Sequence, residues 1–389
     1  MTPLIQAEQA VLGAILLDPD QLPRLSAWLA PDHFYRPLHG ALYAAMLHLH
    51  AAGHEAAKRQ PGHDVPMSWV TDTLTKASTR IRGVTASYAH TLIAACPRPA
   101  HAPVYGRMVL EGAIHRSVAE HATRLHQAAH ADAIRREVEG TVHHVQVLTE
   151  VLDDLARRWG TEPRATAQPQ PQPPSTTASA PSRVPDGQLE DEPMLLASLV
   201  DHSTELGELV AWLRPEDFAD PGHGHLYRCL GALHHRGEPI DPLTVLWEAQ
   251  RRGVLIDGSL DADQILTICG TPGIASEHFG ERVLRSSLLR TAAASARQVG
   301  ELSDNRALAP GRLIGYALHA LKPVDDVHRR WRIATGASDR PTSPQPRSSA
   351  RMSAALARSQ PHPAARGRPQ AAATPASLPA ARSHHRNHS

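Results

Sequence analysis

One stretch of the sequence occurs twice. The segment AWLAPDHFYRPLHGALY at residues 27–43 returns as AWLRPEDFADPGHGHLY at residues 211–227. With a constant offset of 184 residues, the match runs without a gap from Glu8 to Gly53 of the first copy. Self-similarity at so long a spacing indicates that a whole domain has been duplicated. The chain is therefore expected to fold into two related units rather than around one continuous core.

Composition divides the chain around these two copies. Residues 161–188 are rich in Pro, Gln, Ser and Thr, residues 331–389 are rich in Arg, Pro, Ala and His, and neither segment has the apolar periodicity of a folded element. We expect a disordered linker and a disordered basic tail there, which leaves the copies at residues 1–160 and 189–330. A flexible linker of about 28 residues has a root-mean-square span of about 30 Å, which is enough for the second copy to fold back on the first.

Apolar spacing predicts an all-α fold, with two tandem small helical domains. In the second copy, apolar residues recur at helical spacing between Asp220-Pro221, which suits a helix start, and Gly237, which suits a helix end. Asp241 is a candidate N-cap for the next helix. We find no alternating apolar and polar run of useful length for a strand.

Each copy is predicted to end in a helical hairpin. In the first copy this region spans residues 104–159, with a break expected near residues 130–132. The second copy has a shorter counterpart, predicted at residues 279–302 and 310–321. The second half of the first region carries an apolar seam, whose residues follow the 3-4-3-4 spacing of a and d positions: Val145, Leu148, Leu152, Leu155 and Trp159. This seam is expected to pack either on its own hairpin partner alone or also on a second hairpin, as a dimerisation or docking surface.

The chain carries no strong signal for catalysis or metal binding. His223, His225 and Cys229 lie close in sequence, but the first copy keeps only His39 at the equivalent positions. The three cysteines form no CxxC pair. We therefore predict no catalytic residue, no metal and no cofactor.

Charge and hydropathy limit the classes of partner. The formal net charge of +1 provides no overall attraction to nucleic acid or lipid. No apolar run reaches the length of a membrane span and the N-terminus lacks a signal-peptide pattern, so we expect a cytoplasmic protein without membrane contact. The Arg-rich tail has no aromatic side chain after Arg340. It is expected either to remain solvated or to make weak contacts with nucleic-acid phosphates.

Several motifs follow one another, most of them in both copies. EQAVLGAIL at residues 8–16 and the weaker EPMLLASLV at 192–200 precede a Pro-acidic-x-Phe turn, a helix-opening histidine, GEPIDPLTV at 237–245, and a Tyr/Phe-x-x-x-Val motif. In this order they resemble the N-terminal domain of DnaB-type replicative helicases, and the resemblance implies structural roles for the residues that carry it. These are Glu8, Trp28, Phe34 and His39 in the first copy, and Glu192, Trp212, Phe218, His223 and Asp241 in the second.

In the family that the chain resembles, this domain precedes a RecA-like motor, pairs through its terminal hairpins and receives the primase. A motor needs a G-x-x-x-x-G-K-[ST] phosphate loop, and these 389 residues contain none, so we expect neither ATP hydrolysis nor helicase activity. The resemblance implies a non-catalytic replication protein that docks on a replicative helicase or primase, with its copies in an intramolecular pseudo-dimer or a homo-oligomer. The alternatives are a self-assembling or weakly DNA-binding accessory protein and a helicase remnant.

Overall fold

A computed structural model of the chain describes residues 2–57, 67–160, 190–273 and 276–336. The predicted linker, and the predicted tail beyond residue 336, lie outside the described residues. Within them the fold is all-α, as the apolar spacing predicted, and the fifteen helices are numbered α1 to α15. The first copy holds α1 Pro3–Leu17, α2 Leu22–Ser26, α3 Pro37–Ala51, α4 Met67–Ser78, α5 Ala86–Ala94, α6 Ala102–Arg135 and α7 Glu139–Trp159. The second holds α8 Asp191–Asp201, α9 Leu206–Leu209, α10 Pro221–Arg236, α11 Pro242–Arg251, α12 Val254–Asp257, α13 Ala262–Cys269, α14 Ser276–Asp304 and α15 Pro310–Ala334.

The helix boundaries predicted for the second copy are confirmed. The Asp220 carboxylate accepts a hydrogen bond from Gly222 N at 2.7 Å, with Pro221 next in the chain, and α10 ends before Gly237, whose φ is +68°. The Asp241 carboxylate accepts from the backbone at the start of α11 at 2.9 Å. These caps satisfy donors that a helix start leaves without intrahelical partners.

In each copy the shorter helices form a head that packs on the following hairpin. Helix α1 is buried along most of its length against α3, α5 and α6, and α8 is buried against α10, α13 and α14. Trp212 lies in the core, whereas Trp28 is partly buried and packs against the core. No helix in the described ranges combines the length and the apolar character needed to cross a bilayer.

The break in the first hairpin lies later in the chain than predicted. Its position was not evident from the sequence, because neither Gly nor Pro occurs at it. Helix α6 continues to Arg135, and Arg136 then takes a left-handed conformation with φ +61°. The buried Asp132, at the predicted position of the break, is still helical. Its carboxylate accepts hydrogen bonds from Thr141 N and Thr141 Oγ1 at 2.6 and 2.8 Å and so fixes the start of α7.

The second hairpin is longer than predicted, and the tail boundary at residue 331 is wrong. Helix α15 passes through Pro323 and ends at Ala334, so the first four residues assigned to the tail are helical. Pro323 is exposed, while Leu321, Val324 and Val327 around it are buried. Their burial on one continuous face outweighs the hydrogen bond that a proline inside a helix removes.

Candidate interaction interface

The hairpins of the two copies pack on each other within the chain. Helix α6 lies along α14 and α7 lies along α15, and we call these four helices the paired hairpins. Residue numbers rise along α6 as they fall along α14, so the two helices run antiparallel. The contacts that show this direction are His115 Nδ1 with Ser303 O at 2.8 Å, His126 Nδ1 with Ala293 O at 3.4 Å, and Arg285 Nη1 with Arg136 O at 3.1 Å. This arrangement corresponds to the intramolecular pseudo-dimer, one of the two assemblies expected from the sequence, and the homo-oligomer stays a prediction.

The paired hairpins have an approximate two-fold relation. The hairpins match at an offset of 174 residues, which equates Ala122 of α6 with Ala296 of α14. Both alanines are buried. Ala122 lies between His115 and His126 on α6, and Ala296 lies between Ala293 and Ser303 on α14. Small side chains at this point allow the two helices to approach closely.

His115 makes a deeply buried polar contact between the copies. Its side chain is 1 % exposed, with Nδ1 2.8 Å from Ser303 O and Nε2 3.1 Å from Leu308 O. The imidazole thus joins α6 of the first copy to the end of α14 and to the turn between α14 and α15 of the second. Leu289 stands at the equivalent position of the second copy, so this polar contact has no symmetric counterpart.

The apolar seam predicted on α7 is buried within the paired hairpins. Helix α7 packs on α6, its own hairpin partner, and also on α15 of the second copy. A role of these residues as a docking surface for a separate protein stays a prediction. The side chains of Val145, Leu148, Leu152 and Leu155 are at most 8 % exposed, and Trp159 is partly buried.

A buried glutamate organises the first head. Glu8 on α1 is fully buried, and its carboxylate lies 2.7 Å from His39 Nδ1. It also accepts hydrogen bonds from the backbone N–H groups of Tyr35 and Arg36. Tyr88 completes the chain of contacts, with its hydroxyl 2.6 Å from His39 Nε2. These bonds fix α1 to the turn before α3.

The second head repeats this arrangement. Glu192 on α8 is 1 % exposed, and its carboxylate lies 2.9 Å from His223 Nδ1. It accepts from the backbone N–H groups of Ala219 and Asp220. The four motif residues Glu8, His39, Glu192 and His223 are therefore brought together in two equivalent pairs, in positions that suit structural roles.

The motif aromatic residues also occupy equivalent places. Phe34 packs against Tyr43 with ring centroids 5.1 Å apart, and Phe218 packs against Tyr227 at 5.2 Å. Burial raises the pKa of both tyrosines. The indole rings of Trp28 and Trp212 each cover a glycine of the adjoining hairpin helix, Gly106 and Gly280, where an added Cβ would come within 2.8 Å of the ring.

Two arginines of each copy attach its hairpin to its head. Arg116 Nη2 donates to His33 O at 2.8 Å, and its equivalent Arg290 donates to Asp217 O. Both arginines are partly buried, and loss of contact with water is the largest of the effects that lower the pKa of each. The match of Arg116 with Arg290 was visible in the sequence, but the backbone oxygen that each one binds was not.

A second attachment differs between the copies. Arg330 on α15 forms a buried ion pair with Asp217, with Nη2 3.0 Å from Oδ1. In the first copy Arg158 Nη1 lies 3.3 Å from His33 Nε2. Burial lowers the pKa of this histidine, and it outweighs the opposing charge of Asp32. Sequence reasoning missed this pair of arginines. The available signal was the repeated Arg-Arg-Trp at residues 157–159 and 329–331.

Two residues of the His223, His225 and Cys229 group have structural surroundings. Cys229 is buried, and desolvation raises its thiol pKa to about 11, which disfavours the nucleophilic thiolate. His223 Nδ1 is engaged by Glu192. Within the described ranges, no group of three or more His, Cys, Asp or Glu side chains is placed to hold a metal ion.

Comparison with known proteins gives consistent results. Residues 2–111 and 184–278 match the DnaB family, described as the DnaB-like helicase N terminal domain. The replicative DNA helicase DnaB of Mycobacterium leprae is 34 % identical over 142 residues, which cover 36 % of this chain and 22 % of the relative. That of Geobacillus stearothermophilus is 36 % identical over 139 residues, which cover 35 % and 27 %.

Among solved structures, the N-terminal domain of DnaB helicase from Mycobacterium tuberculosis is 26 % identical, with a TM-score of 0.32. The alignment covers 34 % of this chain and 95 % of that one. The chain thus spans about a quarter of the length of the curated helicases that it matches, and the matches lie in their N-terminal part and not in the motor. Because the two matched segments cover more than half of its residues, the chain belongs to the DnaB-like helicase N-terminal domain family, in a tandem duplication.

Proposed function

We propose that the chain is a non-catalytic DNA-replication protein that docks on a replicative helicase or on its primase. The observation that carries this proposal is the packing of α6 on α14, which joins two DnaB N-terminal-like domains through their terminal hairpins. A partner that recognises such a pair would meet it already assembled. Pre-organisation favours binding because no binding energy is used to bring the two copies together.

The proposed role is binding rather than turnover. The 389 residues contain no phosphate loop of the kind that holds a nucleotide. Purified protein should therefore hydrolyse ATP no faster than a buffer blank. Turnover that follows the protein through successive purification steps would overturn this part of the proposal.

The docking test is co-elution of the full chain with the replicative helicase, and separately with the primase, of its own organism. Size-exclusion chromatography with light scattering should give a complex with at least one of them. Absence of a complex with both, for folded protein at concentrations well above micromolar, would refute the proposal.

A matched pair of variants tests whether the paired hairpins carry the docking. Ala122→Glu combined with Ala296→Glu places two carboxylates at the buried crossing of α6 and α14, and this should separate the copies. Thr123→Glu with Ala294→Glu adds the same charges at exposed positions of the same helices. We expect the first variant to lose the complex and the second to keep it.

The alternative of weak DNA binding depends on the basic tail. This segment lies outside the described residues beyond residue 336, so the alternative stays a prediction. Deleting residues 337–389 separates the two functions. Docking on the helicase or primase should survive the deletion, whereas a function that resides in the tail should disappear.

A further inference from the structure

The two-fold relation of the paired hairpins shows what a pair of like copies would bring together. At the offset of 174 residues, a second α6 in the place of α14 would put Ala129 opposite His115, where Ser303 now lies. A second α14 in the place of α6 would put Leu289 opposite Ser303. The polar contacts of the α6–α14 crossing can therefore be compared with those of the two like pairs, α6 with α6 and α14 with α14.

His115 binds acceptors that the second copy supplies and the first does not. Its ring nitrogens lie against the carbonyl oxygens of Ser303 and Leu308. Ser303 is in the last turn of α14, where carbonyl groups have no intrahelical partner. Helix α6 instead continues to Arg135, so the carbonyl group of Ala129 is bonded within the helix. In a pair of two α6 helices, Nδ1 of each buried His115 would face a carbonyl group that is already bonded.

Two α14 helices would make the opposite mismatch. Leu289 would then face the carbonyl oxygens of Ser303 and Leu308, which His115 contacts in the native pair. The Leu289 side chain is 4 % exposed and has no hydrogen-bond donor. A buried carbonyl oxygen that loses its donor destabilises the contact. This end of the crossing therefore suits one histidine and one helix end, and each comes from a different copy.

The other end of the crossing discriminates in the same direction. Arg285 of α14 donates to the carbonyl oxygen of Arg136, the residue after α6, at 3.1 Å. Glu111 is the equivalent of Arg285 in the first copy, so two α6 helices would bring a carboxylate toward this carbonyl, and both groups only accept hydrogen bonds. Two α14 helices would leave Arg285 without this acceptor, because α14 ends at Asp304, which corresponds to His130 within α6. Both ends thus favour the pairing of unlike copies.

We propose that the pairing face of α6 accepts the α14 hairpin and excludes a second α6 hairpin, so that only unlike copies pair. His115 and Arg285 determine this specificity. Two chains then associate through these hairpins only by reciprocal exchange, in which the first copy of each chain pairs with the second copy of the other. The proposal concerns which copies pair, so it holds whether or not a replicative helicase or primase docks on the paired hairpins.

Two full-length variants, each with one pairing face disabled, test the proposal. Ala296→Glu places a carboxylate on the buried face of α14 and leaves α6 free, and Ala122→Glu does the reverse. Light scattering should show that each variant alone is monomeric, whereas their equimolar mixture forms a complex through the intact α6 and the intact α14. The mixture should associate at least about tenfold more tightly than either variant does with itself. A mixture that associates no better than its components would overturn the proposal.

Substitution of His115 separates pairing specificity from a merely structural role. In the Ala296→Glu chain, His115→Leu should weaken the complex with the Ala122→Glu chain at least about tenfold, because the donor to Ser303 and Leu308 is lost. The same change should strengthen self-association, since a pair of two α6 helices no longer buries two imidazoles. His130→Leu replaces an exposed histidine of the same helix and should change neither association. Equal weakening of both associations by His115→Leu would overturn the assignment.

Single cysteines provide a second measurement that keeps the native crossing. The two-fold relation equates Ala122 with Ala296, so in a like pair each would face its own counterpart. With the half-buried thiol removed by Cys96→Ser, refolding of the concentrated chain and oxidation should link Ala122→Cys with Ala296→Cys inside one chain. Either single variant should give no linked dimer. Linked dimers of Ala122→Cys alone or of Ala296→Cys alone would show that like copies pair and would overturn the proposal.

Discussion

The ion pair between Arg330 and Asp217 is expected to be the most sensitive attachment of a hairpin to its head. Both side chains are less than a tenth exposed. Arg330 also donates to Trp212 O at 3.0 Å, while the Asp217 carboxylate accepts from Arg214 N and Ser287 Oγ. Burial alone would lower the pKa of Arg330, but its bonds to Asp217 raise it. Arg330→Met therefore leaves a buried carboxylate without its cation.

The expected cost follows from this burial and differs between the copies. Removing one partner of a buried ion pair costs about 3–5 kcal/mol in free energy of unfolding. The equivalent Arg158 is 44 % exposed, contacts the neutral ring of His33, and is paired with Asp154 at 2.7 Å. Exposed pairs contribute at most about 1 kcal/mol, so Arg158→Met should cost no more than that.

Urea unfolding followed by circular dichroism measures both variants. The double variant Asp217→Asn with Arg330→Met should be more stable than Arg330→Met alone, because it removes the unpaired charge. Equal losses for Arg330→Met and Arg158→Met would refute the reasoning, since the expected difference comes from the different burial of the two arginines. A double variant that is no more stable than Arg330→Met would refute it as well.

Three further predictions concern the heads and the hairpins. Gly106→Ala forces a methyl group against Trp28 and should lower the free energy of unfolding by about 1–3 kcal/mol. Gly300→Ala meets open space and should raise the free energy of unfolding by about 0.5–1 kcal/mol. Thermal melts that rank the two variants in the opposite order would contradict this. Glu192→Gln turns an amide NH2 or a weaker acceptor toward two backbone N–H groups and a histidine, and urea titration should show a loss of about 1.5–3 kcal/mol. Burial lowers the pKa of His33 below 6.5, so the unfolded chain takes up the proton first and the free energy of unfolding falls as pH drops through that value. His33→Asn should flatten this dependence between about pH 7 and pH 5, and an unchanged slope would count against the assignment.

Local features of the fold were predictable because neighbouring residues determine them. The caps at Asp220 and Asp241 depend on one carboxylate and the next few N–H groups, so a short stretch contains all the required information. The equivalence of Glu8 and Glu192 in the two copies followed from the repeat, and the repeat is a property of the sequence itself. The structure adds the partners of these residues, which lie about thirty positions away along the chain.

Other features depend on distant contacts and could not be predicted. Pro323 indicates a helix end by itself, and the helix continues because buried apolar residues on both sides pack on the rest of the bundle. The turn at Arg136 contains neither Gly nor Pro, and the Asp132 carboxylate stabilises it from the preceding helix. The buried partner of Arg330 lies 113 residues earlier in the chain, beyond the reach of any local pattern.

Tandem duplication changes what the interface between two copies can contain. In a dimer of identical chains the two-fold axis presents every interface residue twice, so a side chain that suits one place must also suit its symmetry-related position. Two copies in one chain are free of this requirement. His115 binds the carbonyl of Ser303 while its equivalent, Leu289, remains apolar, and the acidic Asp217 replaces His33 where Arg330 is buried. Pairing within the chain is also independent of protein concentration, unlike the assembly of separate subunits. The paired hairpins therefore offer a partner one defined orientation, whereas a symmetric pair would offer two equivalent ones.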